Sequence, residues 1–190
     1  MWGRPASLSK QRAVQYAAVV IPIVRRDEPT VIFIRRAAHL RRNPGQIAFP
    51  GGLIDPADRD AEAAALREFE EELGLPRTRL NVVERLADVV TIALSVTIAP
   101  FVALLEPPLQ VVVDANETQS VHEVPLAALY APEALHEGIE RVVHEGRRYD
   151  VPTWLFDHGE LHVWGATARI VRDFVTRYPR PSDFSRQHGA

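Results

Sequence analysis

From Ala61 to Leu75 the sequence reads AEAAALREFEEELGL, and no other stretch restricts the fold so strongly. At about 100° per residue, Leu66, Phe69 and Leu73 fall on one stripe with Ala65 beside them, which makes this a helix lying on an apolar core. Asp58 or Asp60 can cap its start; Leu73 ends it, Gly74 takes the position after the last turn, and Pro76 stops any continuation. Glu68, Glu71 and Glu72 share a neighbouring arc at i, i+3 and i+4. Like charges so placed repel by about a few tenths of a kcal/mol per pair on an exposed helix, and by more if partly buried. A hard divalent cation removes that cost, since Mg²⁺ takes oxygen ligands of this type. Ala61 and Ala64, earlier on the same arc, would leave room for an ion and a substrate. Arg67, four residues before Glu71, can hold a carboxylate in position. A solvated glutamate face is the plain alternative for the helix taken alone.

The preceding loop changes that balance. Phe49-Pro50-Gly51-Gly52 places two glycines where backbone must turn tightly and approach a ligand closely, and a carbonyl there can complete a metal shell. Upstream, Arg35, Arg36, His39, Arg41 and Arg42 form a basic, Pro/Gly-punctuated loop running from Arg35 to Pro50. Arginine binds phosphate bidentately, so at least one member of this cluster can recognise a phosphate; a solvated basic loop or a nonspecific nucleic-acid patch is the plain alternative.

The remaining chain reads as one α/β domain, residues 16–190, after a loosely held lead-in, residues 1–15. Tyr16–Val24 and Val31–Arg36 are β-branched, apolar strands joined by a turn at Asp27-Glu28-Pro29. Leu80–Ala93 and Val96–Leu105 are further strands, and Pro107-Pro108 ends the second. A loop holding Asn116-Glu117 leads to a strand at Val121–Val124 and a short helix at Pro125–Tyr130. Ile139–His144 and Arg147–Phe156 form a hairpin across Glu145-Gly146, Glu160–Trp164 adds a strand, and the last helix, Ala166–Tyr178, turns Ile170, Val171, Phe174 and Val175 inward. The irregular alternation predicts a mixed sheet covered by helices.

Composition excludes several classes. With 190 residues and a net charge of −3, no basic field draws the chain to nucleic acid. Cysteine is absent, which removes disulfides, thiolate metal sites and cysteine nucleophiles, and fits a reducing cytoplasm. The longest apolar stretch, Val89 to Leu105, is broken by Thr91, Ser95, Thr97 and Pro100 and falls short of the roughly 20 residues of a spanning helix. The early apolar run ends in Arg25-Arg26, unlike a signal peptide. The seven histidines show no paired ligand spacing.

Gly52 to Leu75 resembles the Nudix box, Gly-x₅-Glu-x₇-Arg-Glu-U-x-Glu-Glu-x-Gly-U, where U is bulky and apolar. Arg67, Glu68, Phe69, Glu71, Glu72, Gly74 and Leu75 match every specified place of its second half. The first half departs: fourteen residues separate Gly52 from Arg67, one more than the pattern, so the first Glu slot holds Asp58 or Arg59. No role is carried over to that slot. Arg36-Ala37-x₃-Arg41-x₃-Gly45-x₃-Phe49-Pro50-Gly51-Gly52 is similar to the extra signature of the coenzyme A diphosphatase branch of that family. The Leu-Leu-Thr that opens that signature is Ile32-Phe33-Ile34 here. Val96-x₃-Pro100-Phe101-Val102 and Trp164-Gly165-Ala166-Thr167-Ala168 extend the likeness, which runs from about Ala17 to Phe174.

The resemblance implies a Nudix-type α/β/α sandwich with a mixed sheet. It also implies Mg²⁺-dependent hydrolysis of CoA or its derivatives to 4′-phosphopantetheine and adenosine 3′,5′-bisphosphate, with Mn²⁺ as the alternative ion. Glu68 and Glu72 would be the principal metal ligands, Glu71 a further ligand or base, and Gly52 a carbonyl ligand. Glu117, in the loop after the box, would be general base or extra ligand, with Arg67 in the catalytic set. Arg36, Arg41 and Gly51 would meet the substrate. ADP-ribose or another nucleoside diphosphate derivative is the rival substrate. A silent nucleotide-binding regulator is the rival class, disfavoured because all three box glutamates are present. The expected partners are a small CoA-like nucleotide and a second copy of the chain.

Overall fold

The computed structural model describes residues 14–91, 96–144 and 147–189, with residues 142–144 by backbone alone. In chain order the strands and helices are Gln15–Val24 (β1), Thr30–Arg36 (β2), Ile47–Ala48 (β3), Gly51–Leu53 (β4), Ala61–Leu73 (α1), Leu80–Arg85 (β5), Val89–Thr91 (β6), Val96–Leu105 (β7), Thr118–Pro125 (β8), Leu135–His144 (β9), Arg147–His158 (β10), Leu161–Trp164 (β11), Gly165–Arg177 (α2) and Pro181–His188 (α3). β1 and β7 pair in parallel from Gln15↔Val96 to Val24↔Leu105, while the other pairs are antiparallel, so the main sheet is mixed.

Both faces of that sheet are covered, which is why β1, β2 and β7 read as nearly unbroken apolar runs. Alternate residues serve opposite cores. Val20, Val24, Ile32, Ile34, Phe101 and Leu105 pack with Ala64, Ala65, Phe69 and Leu73 of α1. Ile21, Ile23, Val31, Phe33, Val102 and Leu104 pack with Ile170, Val171 and Phe174 of α2 and Phe184 of α3. The result is the expected three-layer α/β/α sandwich.

Several expectations need correction. The strand expected over Leu80–Ala93 is two strands along β7, broken at Leu86–Asp88; residues 92–93 lie outside the described residues. Leu86 N–H donates to Pro100 O (3.0 Å), so Pro100 faces this edge, where its missing N–H leaves the ladder incomplete. The basic loop contains β3, held to β2 by Ile34↔Ala48 and Arg35↔Ile47. The hairpin joins β11 in a separate three-stranded antiparallel sheet, β11-β10-β9, instead of the main one; its turn, 145–146, lies outside the described residues. The short helix is a 3₁₀ turn, Leu126–Tyr130. A further helix, α3, follows the expected last one, with Phe184 against Phe174 and Tyr178 at ring separations of 5.5 and 5.1 Å.

One irregularity shapes the site. The first half of β1 pairs with β4 (Ala17↔Leu53, Ala18↔Gly52, Val19↔Gly51), whereas its end pairs with β2 (Ile23↔Val31, Val24↔Thr30). β2 diverges to run beside β8. The C-terminal half of α1 lies at this split.

Candidate active site

α1 forms where its caps place it. Asp60 accepts from Ala63 N (2.8 Å), and Gly74 closes the helix in the left-handed conformation, φ 64°, donating to Glu70 O (2.9 Å). The buried stripe is Ala64, Ala65, Phe69, Glu72 and Leu73, with Leu66 only partly covered. The helix is therefore rotated from the expected orientation. Ala64 is a fully buried core contact instead of a small residue lining open space, and Glu72 points inside with 1% exposure.

Gly51 and Gly52 make that inward position tenable. A Cβ on Gly51 would collide with Ala18 O and Val19, so only glycine lets this strand lie against β1. There its N–H donates to Glu72 Oε2 (3.0 Å). A Cβ on Gly52 would overlap the Glu68 carboxylate, so that carboxylate rests directly on the backbone. Glu72 Oε1 is buried with no hydrogen-bond partner among the described residues, and Arg36 Nη1 stands 3.7 Å away. Burial pushes the Glu72 carboxyl up to about 8, against the Gly51 hydrogen bond and the Arg36 charge, with Glu68 and Glu117 adding to the rise. Burial also raises Glu68, against Arg67, with Glu117 and Glu71 adding to the rise.

Glu117 reaches this field from far along the chain. Val112 N–H and Asp114 N–H donate to the last helical carbonyls, Leu73 O (2.9 Å) and Glu72 O (3.3 Å), satisfying groups a helix end leaves open. Asp114 then accepts from Asn116 and, through its carbonyl, from Glu117 and Thr118, and Glu117 O accepts from Ala37 N (2.8 Å). The turn is thus tied both to α1 and to the residue after Arg36, with the Glu117 side chain exposed.

Arg67 gathers the outer carboxylates. Its Nε and Nη2 bind Asp58 Oδ1 and Oδ2 (3.0 Å each), and Nη1 binds Glu68 Oε1 and Glu71 Oε2 (2.9 Å each). Asp58, with its side chain 7% exposed, is held below the usual carboxylate range first by Arg67. The displaced slot of the box is therefore filled toward Arg67 by Asp58, while Arg59 pairs outward with Asp60 (2.8 Å). Counting from Gly52 instead of back from Arg67 would have found it. Glu71 is the outermost of the three glutamates, at 54% exposure.

The basic loop divides. Arg36 joins the glutamates, its Nε buried and without a hydrogen-bond partner among the described residues. Arg35, next in sequence, points to the other face and donates to Gly45 O (3.3 Å). Arg42 donates to Gln15 (2.8 Å), and Arg41 and His39 are exposed, making no side-chain hydrogen bond or ion pair with a described residue.

Among the described residues no three acidic or histidine side chains already converge on one point. Glu68 and Glu71 are drawn to Arg67 instead. Even so, the unpartnered Oε1 of Glu72, the Glu68 carboxylate seated on Gly52 and an all-oxygen donor set fit a hard divalent cation.

Comparison with known proteins follows the same lines. The NUDIX domain model matches residues 14–146. The Escherichia coli K12 protein described as uncharacterized Nudix hydrolase NudL is 40% identical over 160 residues, covering 84% of this chain and 80% of its own. The structure of a MutT/nudix family protein from Enterococcus faecalis superposes with a TM-score of 0.59 at 16% identity, covering 91% of this chain and 65% of that one. The NUDIX domain of Shewanella oneidensis NrtR, complexed with ADP ribose, gives 0.50 at 18% identity, covering 65% and 82%. At such identities the structural likeness is one of fold alone.

Proposed function

The chain is a Nudix hydrolase, a member of the NUDIX domain family, and on that premise we propose that it cleaves the diphosphate linkage of coenzyme A or a CoA derivative. The products would be 4′-phosphopantetheine, acylated where the substrate is, and adenosine 3′,5′-bisphosphate. The observation that carries the hydrolytic reading is Glu72, a carboxyl buried beside Glu68 with one oxygen that has no partner among the described residues. An uncompensated buried carboxylate costs several kcal/mol, roughly, unless a ligand satisfies it. The CoA reading is supported by the Arg36 to Gly52 signature and by Arg36 itself. The second reading, ADP-ribose or another nucleoside diphosphate derivative, is favoured by the NUDIX domain of NrtR, which was solved with ADP ribose.

Each group takes one task. Glu68 and Glu72, with the Gly52 carbonyl and Glu71 once it leaves Arg67, would hold the cation. Bound there, Mg²⁺ or Mn²⁺ would supply Lewis-acid neutralisation of the charge on the phosphate oxygens. Gly51 N–H fixes Glu72 and lies on the floor under the substrate. Arg67, oriented by Asp58, fixes Glu68. Arg36 offers its guanidinium to the diphosphate, and Arg41, exposed on the same loop, takes an outer phosphate. Glu117 accepts a proton from the attacking water. We assign residues 16–190 to one hydrolase domain acting in the cytoplasm. Of the lead-in, residues 1–15, positions 1–13 lie outside the described residues. Among the described residues no helix is long and apolar enough to cross a membrane.

Incubation with CoA, ADP-ribose and NADH separately, each with Mg²⁺, followed by mass spectrometry of the products, tests the proposal. CoA should give the two fragments named above. Turnover of ADP-ribose without CoA would transfer the substrate assignment, and no turnover of any diphosphate would overturn the hydrolytic reading of the site.

A further inference from the structure

Among the described residues, strand β9 has no neighbour on one side. It spans ten residues and is the last strand of its sheet, so its outer edge carries a row of free backbone groups. Asp157 N–H donates to Ala134 O (2.9 Å), and the β9–β10 register continues from that pair. Antiparallel pairs alternate between hydrogen-bonded and non-bonded, so the even-numbered residues of β9 bond to β10. Residues 135, 137, 139, 141 and 143 therefore turn their N–H and C=O outward.

The two edges of this sheet are treated differently. β10 extends past β11, which pairs only with Leu155–His158, and Pro152 lies in the part of β10 left without that neighbour. Proline has no N–H to offer an incoming strand, and it guards that edge. No proline lies within β9. Its exposed residues in the middle of the edge are Glu137, Ile139 at 63% exposure and Arg141 at 84%.

We propose that β9 is the surface on which two copies of the chain join, strand to strand and antiparallel, about a two-fold axis at Ile139. Among registers that use the outward-facing residues, the one centred on Ile139 sets Ile139 against the partner's Ile139. It also sets Glu137 against the partner's Arg141, twice by symmetry. A self-pairing edge needs this: opposite signs equally spaced on either side of an apolar centre. Arg141, whose Nε is 3.4 Å from Asp150 Oδ1 in its own chain, would then sit between two carboxylates. The inference is independent of the catalytic reading, since no residue of the glutamate site takes part.

Sedimentation equilibrium of the full chain at tens of micromolar, as an order of magnitude, should give twice the 21.3 kDa chain mass. Ile139→Pro removes only an outward N–H, so it should leave the circular dichroism unchanged and make the protein monomeric. Arg141→Glu should weaken association by about tenfold or more, because two attractive cross-strand pairs become repulsive. Glu137→Arg combined with Arg141→Glu should restore it. A monomeric wild type overturns the proposal, as does a dimer indifferent to Ile139→Pro. Failure of the double reversal to restore a dimer lost in the single one overturns the register, and with it the axis at Ile139.

Discussion

Arg36 Nη1 stands 3.7 Å from Glu72 Oε1 across the split between β1 and β2, yet neither completes a hydrogen bond with the other. Arg36 Nε and Glu72 Oε1 are both buried without hydrogen-bond partners among the described residues. Two opposite charges held this close but incompletely satisfied are a poor device for stability alone, because desolvation is spent without the full return. A cation beside Oε1 and a phosphate oxygen beside Nε would complete both. On the proposed function, the pair would face the two halves of a metal diphosphate.

Glu72→Gln should lower turnover by on the order of 10²–10³, as loss of one preorganised charge does. The metal-free variant should unfold at no lower a temperature than the wild type, because the amide still accepts Gly51 N–H and a group whose ionised form burial disfavours is gone. Near-normal turnover at saturating Mg²⁺ would remove Glu72 from the metal set.

Glu117→Gln should reduce kcat by on the order of 10²-fold or more, the usual worth of a general base. The Mg²⁺ concentration for half-maximal rate should stay the same. A joint change of both would make Glu117 a ligand, and unchanged kinetics would pass the base to Glu71.

Asp58→Ala should raise the Mg²⁺ requirement by about 10–100-fold, since groups that orient ligands carry effects of that size. The carboxylate grips Arg67 with two 3.0 Å contacts and so acts on Glu68 through it. Asp58→Glu should recover most of the loss. If Asp58→Ala binds Mg²⁺ normally, Glu68 and Glu71 suffice to orient Arg67.

Arg36→Ala should cost about 1.5–3 kcal/mol in kcat/KM for CoA, the range for a hydrogen bond to a charged group, and Arg41→Ala the same if it too meets phosphate. With 3′-dephospho-CoA the wild type should be slower, and the gap should shrink in whichever variant lost the 3′-phosphate contact. Comparing both substrates in both proteins cancels a general loss of folding. Equal use of CoA and dephospho-CoA by the wild type removes 3′-phosphate reading.

His162 bridges the second sheet, bonding Glu140 on β9 (2.9 Å) and Asp157 on β10 (2.6 Å), with His136 3.7 Å from the other Asp157 oxygen. Glu140 first, then Asp157, raise its pKa above 6.5. A folded value above the unfolded one gives stability that is fully present below pH 6.5 and is lost as pH rises through the folded value. The thermal stability of the wild type relative to His162→Gln should therefore shrink as pH rises above 6.5. A difference that holds constant or grows as pH rises would show that the bridge does not depend on the imidazolium.

Local signals made α1 legible. Its period, Asp60 and Gly74 act within a few residues, and β1, β2 and β7 showed as apolar runs because both sheet faces are covered. α3 did not show, because among its residues only Phe184 is buried, and its helix rests on Phe174 and Tyr178. The break between β5 and β6 did not show either, since Pro100 causes it from the neighbouring strand.

At the site, sequence alone determined that Glu68, Glu71 and Glu72 share one side of a helix and that glycines precede it. Tertiary structure decided which of them is inside. Rotation of α1 onto the sheet buries Glu72 and leaves Glu71 with Arg67. Strand alternation sends Arg36 to the glutamates and Arg35 to the opposite face. The extra residue of the box, absorbed in the turn from Asp55 to Asp58, brings Asp58 to Arg67. Spacing along a chain sets direction only within one element. Burial and the field of neighbouring charges depend on segments meeting at the β1–β2 split, and Arg36, Gly51, Glu72 and Glu117 meet only there.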